Sequence, residues 1–592
     1  VRSALTGGRG NRDGWSGARE GVVINRAKSY IQEHTNPPVF FISGAVVLAF
    51  IIAGLVNPEG FQTGAETTRD WIGANLGWFY VLASTFFLIF AVWAMLSRFG
   101  RIRLGPDSSR PEFSTGAWFA MLFTAGMGIG LVFYGVAEPT LHIQDPAVVA
   151  DPENLQGSDA SSAMQYTLFH WGFHPWAIYI ALGLSLGYFC FRKGLPMRPA
   201  AALYPLIGNR IYGWVGNLVD ILAVFGTLFG LATSLGLGTL HINTGLESMF
   251  GIPNTQLTQT AIICLVTAIA VVSVLAGIDK GIRRLSVINL WLAAALLLFL
   301  FLVGPKLWML SLMVTGTGDY LQNLVDMSLA FPTEQFDADQ NAFMTAWTVF
   351  YWGWWISWSP FVGMFLARIS YGRTIRQFVV GTLFAPVGVT IVWFGVFGGS
   401  GLFQDLFRPE TEMIGAAESE AEATYMLLNQ LGLSGPVLAL LALLAIVVVT
   451  LFFITSSDSG SLVVDMLTNG GDPHPIKVQR AGWAITEGLI TVVLLIVGGQ
   501  AAVQGLQAAA IVTGLPFAIV LMFVCLGLVR ALRDEHPSAY TPVVTVPSDR
   551  SSAPGAVADA SGDTAVYTPG HGAASDSGTP AKNPPQANDG EQ

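Results

Sequence analysis

Charge is scarce in this chain. Of 592 residues only 11% are Asp, Glu, Lys or Arg, while 52% are hydrophobic. A soluble chain carries about twice that charge, which excludes the string of soluble domains that length alone would suggest. Basic excess is lacking too: the formal net charge is −10, which argues against a nucleic-acid partner. Cysteine is nearly absent. Cys190, Cys264 and Cys525 all lie inside apolar runs, where they act as small hydrophobes and offer neither a disulfide framework nor metal-ligand spacing. No motif sets a nucleophile beside a base, so an enzyme is not expected.

What the chain has instead is apolar runs of about 20 residues, the length that crosses a ~30 Å hydrocarbon core. They recur at 38–56, 76–97, 113–136, 164–191, 215–246, 257–277, 284–313, 341–368, 374–399, 435–467, 478–498 and 505–531. The expectation is an all-α polytopic membrane protein with 12 transmembrane helices. Lys and Arg cluster in alternate loops, as at Arg98, Arg101 and Arg103 or Arg368, Arg373 and Arg376, while the intervening loops carry acids such as Asp151, Glu153 and Glu418. That asymmetry places both termini in the cytoplasm. The first apolar run is long enough to span and lacks a small-residue cleavage site, so it reads as a membrane helix and not a cleaved signal.

Glycine and proline inside a span free backbone groups that lipid cannot satisfy. Two such places stand out: Gly126-Met127-Gly128-Ile129-Gly130 in the third span and Ser357-Trp358-Ser359-Pro360 in the eighth. The glycines read either as close helix packing or as an unwound segment lining a site. Gly126 and Gly130 suit a packing face, but Gly128 points elsewhere. Both segments are expected to interrupt their helices. Their five-span separation divides the chain into a cytoplasmic segment 1–37, two peripheral helices in 38–112, a first five-helix unit 113–313, an extracellular connection 314–340, a second unit 341–531 and a tail 532–592. An odd number of spans per unit gives inverted topology, and paired breaks point to a midplane site. The tail, rich in Ala, Ser, Gly, Pro and Asp, cannot bury enough surface to fold alone.

Residues 350–360, FYWGWWISWSP, hold four tryptophans. Tyr351, Trp354, Trp355 and Trp358 fall at i, i+3, i+4 and i+7, one helix face, extended by Phe361 and Phe365. A second set, Trp171, Trp176 and Tyr179, sits in HWGFHPWAIY at 170–179, where Pro175 is expected to bend the helix. Three readings stand: an interfacial belt, helix packing, or a box of ring faces around a quaternary ammonium. The mid-span position disfavours the belt. His170 and His174, at i and i+4 without a third ligand, do not make a metal site.

AGMGIGL at 125–131, HWGFHPWAIY at 170–179, TSLGLG at 233–238, FYWGWWISWSPFVGMFLARIS at 350–370 and FFITSSDSGS at 452–461 closely resemble the betaine–choline–carnitine transporter family. The resemblance runs in order from about residue 38 to 531. It implies the inverted five-helix repeat of the amino-acid/sodium symporter fold, a homotrimer in a bacterial cytoplasmic membrane, and import of a small quaternary-ammonium solute together with sodium. It implies that Trp171, Trp176, Tyr179 and Trp355 enclose trimethylammonium, with Trp358 in the same path, and that Gly126, Met127, Gly128 and Gly130 form the unwound segment beside the substrate. It places one sodium at Thr455 and Ser456, completed by the carbonyls of Thr124, Met127 and Phe452. The other reading of those hydroxyls is that each bonds its own helix. A second sodium site would use Thr227, Phe361 and Tyr179, but its second hydroxyl position is Leu231, which cannot ligate a cation.

In choline-selective relatives the last glycine of the glycine motif is often Asp, whereas here it is Gly130. No acid is read in either interrupted segment. Glycine betaine is therefore the expected solute, ahead of ectoine or dimethylsulfoniopropionate. A proton-coupled choline carrier and a sodium-independent carnitine-type exchanger are the competing carriers. Asp458, an acid inside the tenth span, is either a coupling residue or satisfied by Ser457 and Ser459. After Ala531 the only basic residues are Arg533, Arg550 and Lys582, unlike the basic helical extension of osmosensing members.

Overall fold

The computed structural model describes residues 34–535 apart from 127, 277–278, 409–419, 474–475 and 499–501, together with 556–558 and 565–567. The chain divides into two units, Val1–Ala539 and Tyr540–Gln592. Within the second, Ala556–Ala558 pairs antiparallel with Ala565–Tyr567, Val557 facing Val566. The tail expected to be disordered begins at 532, but 532–535 are ordered: the last helix runs to Arg533, and Glu535 pairs with Arg192 and Lys193 at 2.7 Å. The rest of the tail, the paired strands apart, lies outside the described residues, like the N-terminal 1–33.

The first unit is helical. Among the described residues, ten helices are long and apolar enough to cross a membrane. The third and eighth expected spans are not among them. The third is split into Thr115–Gly126 and Ile129–His142, and the eighth is diluted by the polar atoms of its tryptophans and serines. The fourth is Gly157–Trp171 followed by Phe173–Lys193. Its joint is Gly172, not Pro175. A Cβ at Gly172 would lie 2.3 Å from the Leu168 carbonyl oxygen and 2.6 Å from the Tyr320 hydroxyl. Pro175 sits in the first turn of the new helix, where a missing N–H costs nothing. The seventh span ends early, at Val303. The chain restarts as Lys306–Leu329, so most of the expected connection 314–340 is helix.

Burial separates a lipid-facing shell from a core. Of the most apolar window in Pro37–Val56 only 22% is buried, against 89% in Gly157–Lys193. Phe41, Val46 and Leu48 on the former point outward, which only a hydrocarbon solvent favours. At the centre, Phe350–Arg368 packs against Phe173–Lys193, Trp214–Phe250 and Ala502–Arg533.

This central helix corrects the expected break at Ser357–Pro360. It runs unbroken through Pro360. Proline has no N–H to give the carbonyl four residues back, which here is Ile356. The Ser359 hydroxyl donates to that same carbonyl at 2.7 Å, and Ser357 bonds the Trp354 carbonyl at 3.0 Å. The irregularity lies more than two turns earlier, where Met344–Val349 forms a π turn, a feature that concentrates at functional sites.

Candidate functional site

The π turn and the helix after it present their rings to the joint at Gly172. Trp355 is the hub. Its ring lies 5.0 Å from Trp171 at 71°, 6.4 Å from Tyr179 at 79° and 6.3 Å from Trp358 at 27°. Trp176 joins through Tyr179, 5.6 Å away at 87°. None of the five is more than 5% exposed. Rings at steep angles present faces to a common space, the geometry that attracts a cation without needing hydrogen bonds from it.

The stripe continues in both directions as a ladder of near-parallel rings. Trp347 lies 6.2 Å from Tyr351 at 24°, Tyr351 lies 5.6 Å from Trp355 at 24°, and Trp358 lies 5.8 Å from Phe361 at 27°. Trp347 also lines a cavity of about 1000 Å³ shared by Asp70, Glu420 and Gln507. The ladder thus begins at this cavity and passes the hub. Phe365, one turn beyond Phe361, is partly exposed.

The glycine segment does unwind. Gly126 ends one helix, Ile129 begins the next, and Gly128 between them has φ −138° and ψ −142°. Met127 and the side chain of Thr124 lie outside the described residues. Gly130 is pressed against the cage: a Cβ there would lie 2.6 Å from Trp354 Cη2 and 2.9 Å from Trp171 Cη2. Gly128 has room, its nearest neighbour for a Cβ being Trp358 Cη2 at 3.9 Å. Trp354, absent from the expected cage, stacks on Trp355 at 4.5 Å and 15° and fills the space that Gly130 leaves.

Sequence reasoning missed an acid. Glu138 lies eight residues past Gly130 on the same helix and is fully buried. Its Oε1 is 2.9 Å from His170 Nδ1 and 3.3 Å from His142 Nε2. Its Oε2 accepts from Trp171 Nε1 at 2.6 Å and from the Tyr351 hydroxyl. His170 Nε2 meets Thr348 Oγ1 in the π turn at 3.1 Å. No acid lies in either interrupted segment, as read from the sequence, but Glu138, outside both, stands beside the cage. The expected span stopped at 136, which assigned Glu138 to a loop. The signal was Glu138 and His142 at i and i+4, continuing an apolar run. His174 does not join His170; it bonds Ser328 at 3.1 Å and stacks on Trp352 at 5.0 Å. The ligand-capable atoms of Glu138, His142 and His170 lie within 4.8 Å of one another. A metal would compete there with the Trp171 and Tyr351 donors.

The expected sodium ligands are dispersed in state. Thr455 Oγ1 bonds its own helix, at Leu451 O (2.8 Å) and Phe452 O (3.2 Å), and Ser456 is partly exposed. Donating its proton to the helix leaves the Thr455 oxygen lone pairs free for a cation. Thr227 is buried with its hydroxyl unpartnered, a group that a cation or water would satisfy. Phe361 is buried in the ladder. Leu231 fills the groove at Gly460, where a Cβ would lie 2.2 Å from Leu231 Cδ1. Asp458 is met by Arg480 at 2.7 Å, so an arginine partners it, where the sequence suggested serines. Two buried donors beside the cage, Tyr179 OH and Trp358 Nε1, have no partner.

A helical shell with apolar residues facing outward, around a buried cluster of rings whose ladder reaches a cavity, is an architecture of a multi-pass membrane transporter. The family model described as BCCT, betaine/carnitine/choline family transporter, matches residues 38–537. A glycine betaine transporter of Acinetobacter baylyi is 42% identical over 501 residues, 84% of this chain and 74% of that one. A glycine betaine/proline/choline/ectoine transporter of Vibrio parahaemolyticus is 44% identical over 505 residues, 85% and 88% of the two chains. A glycine betaine transporter of Bacillus subtilis is 40% identical over 498 residues, 84% and 94%. The chain belongs to the betaine/carnitine/choline transporter family.

Proposed function

We propose that the protein imports glycine betaine, or a close quaternary-ammonium relative, by sodium symport across a bacterial cytoplasmic membrane. The observation that carries the reading is the convergence of Trp171, Tyr179 and Trp358 on Trp355. A methylated ammonium makes no strong hydrogen bond, and each ring face offers it about 0.5–2 kcal/mol. The unpartnered Tyr179 hydroxyl and Trp358 indole N–H are the donors that the carboxylate of a zwitterion needs. Relatives named as glycine betaine transporters support the same solute.

Sodium coupling rests on Thr455 and Ser456 standing where the family's motif has hydroxyl ligands, and on the orphaned Thr227 hydroxyl. Counting the broken third helix and the tryptophan helix with the other ten gives twelve crossings, two peripheral helices and two inverted five-helix units, with both termini cytoplasmic. The resemblance to the family supports a homotrimer. A second reading, a choline carrier, is favoured by Glu138, since a net cation at membrane depth gains from a nearby acid.

Uptake into proteoliposomes with an inward sodium gradient, repeated with potassium, tests the proposal. Betaine uptake only with sodium is the expected result. Equal uptake in both discards symport, and choline uptake exceeding betaine uptake selects the second reading.

A further inference from the structure

We infer that Glu138 is the fixed counter-charge of the aromatic cage, a positioning and specificity-determining residue that acts through Trp171 and Tyr351. The inference rests on the reading of the cage as a quaternary-ammonium site.

The first argument is proton accounting. A neutral imidazole has one N–H and one bare nitrogen, an indole donates only, and an ionised carboxylate accepts about four hydrogen bonds. Glu138 has four neighbours that can all donate: His142 Nε2, His170 Nδ1, Trp171 Nε1 and the Tyr351 hydroxyl. Placing the His170 proton on Nδ1 leaves Nε2 bare, and the Thr348 hydroxyl stands 3.1 Å from it, ready to donate. The arrangement closes with an ionised Glu138 and neutral partners.

The second argument is charge. Among the described residues the only basic side chains paired with Glu138 are the two histidines. With both neutral, a full negative charge stands buried with hydrogen bonds but no counter-ion. Such a charge is costly unless an opposite charge meets it.

The third is position. The carboxylate is one hydrogen bond from Trp171, whose ring meets Trp355 at 5.0 Å. An anion on the indole N–H makes the ring face more negative, since hydrogen bonds in a low dielectric polarise their neighbours. The same carboxylate anchors Tyr351 in the ladder and, through His170, the π turn. A cation in the cage is the group that answers this charge. A net cation gains the whole attraction, whereas a zwitterion also brings a carboxylate that is repelled. Glu138 therefore biases the cage toward net charge, and the donors at Tyr179 and Trp358 bias it toward the zwitterion.

The test measures binding of glycine betaine and of tetramethylammonium by tryptophan fluorescence, and betaine KM and Vmax in proteoliposomes, for the wild type, Glu138→Gln and Glu138→Asp. Glu138→Gln is expected to weaken tetramethylammonium about tenfold and betaine by less, the scale of one cation–ring contact. Vmax is expected to stay within about twofold of the wild type, and Glu138→Asp to recover part of the affinity. Unchanged affinity in Glu138→Gln overturns the inference, as does an equal loss for both ligands or a loss of Vmax alone. Tyr351→Phe removes one anchor while keeping the ring, and guards against misfolding of Glu138→Gln. A rise of about threefold in KM is expected, and no change overturns the inference. A wild type that binds neither ligand overturns the cage reading itself. A wild type that binds betaine but not tetramethylammonium overturns the counter-charge alone.

Discussion

Two segments, 126–130 and 357–360, each carry residues expected to interrupt a helix, and only the first of the two does so. At Gly126–Ile129 the helix ends and restarts around Gly128. At Ser357–Pro360 it continues, because the Ser359 hydroxyl takes the carbonyl that Pro360 leaves free. The difference teaches that a breaker is defined by what happens to the freed backbone group. Glycine removes the side chain that would hold the helix, and none of its neighbours replaces it. Proline removes one donor, and an adjacent serine supplies another. The unbroken helix becomes a firm platform for rings, and the broken one becomes the wall that yields around them.

The platform is tested most sharply at its hub. Trp355→Leu removes the ring that three others face, and betaine KM is expected to rise at least tenfold, on the order of two lost ring contacts, while the protein still elutes as a folded species. Near-normal affinity would remove Trp355 from the site.

The yielding wall is tested by a pair of variants. Gly130→Ala drives a Cβ into Trp354 and Trp171, and a loss of affinity of about tenfold is expected, since overpacking costs about 1–3 kcal/mol. Gly128→Ala meets nothing closer than 3.9 Å, and its affinity is expected to stay within about twofold of the wild type, because a Cβ at that distance makes an ordinary contact. Equal losses in the two would mean that the segment matters for its freedom and not for its fit.

The smallest effect concerns the repair of the proline. Ser359→Ala leaves the Ile356 carbonyl without its donor and is expected to lower stability by about 1–3 kcal/mol, read as a lower unfolding temperature in detergent. Adding Pro360→Ala returns a backbone N–H to that carbonyl and is expected to recover most of the loss. A double variant no more stable than the single one would show that Ser359 acts elsewhere.

Much of the site was legible because helical spacing is a local rule. Tyr351, Trp354, Trp355 and Trp358 share a face by position alone, and the structure puts them in one stack. What was not legible depends on partners distant in sequence. Glu138 gained its meaning from His170, Trp171 and Tyr351. Pro360 was read as a break because the competing donor, Ser359, had not been set against it. Gly172 was passed over for Pro175 because its need for a bare backbone comes from the Leu168 carbonyl at the joint and from Tyr320, far along the chain. Leu231 looked like a defect in an ion site until its packing at Gly460 was visible.

The π turn at Met344–Val349 has a consequence in the gene. Such a turn takes in one residue more than an α turn of the same height, and successive residues on a helix are about 100° apart. The segment therefore carries a spare residue. Deleting one codon within 344–349 closes the turn to an α turn of the same height and leaves the later rings on their bearing toward Trp171. The same deletion in the α-helical stretch after it would swing the rings beyond the cut about a quarter-turn away.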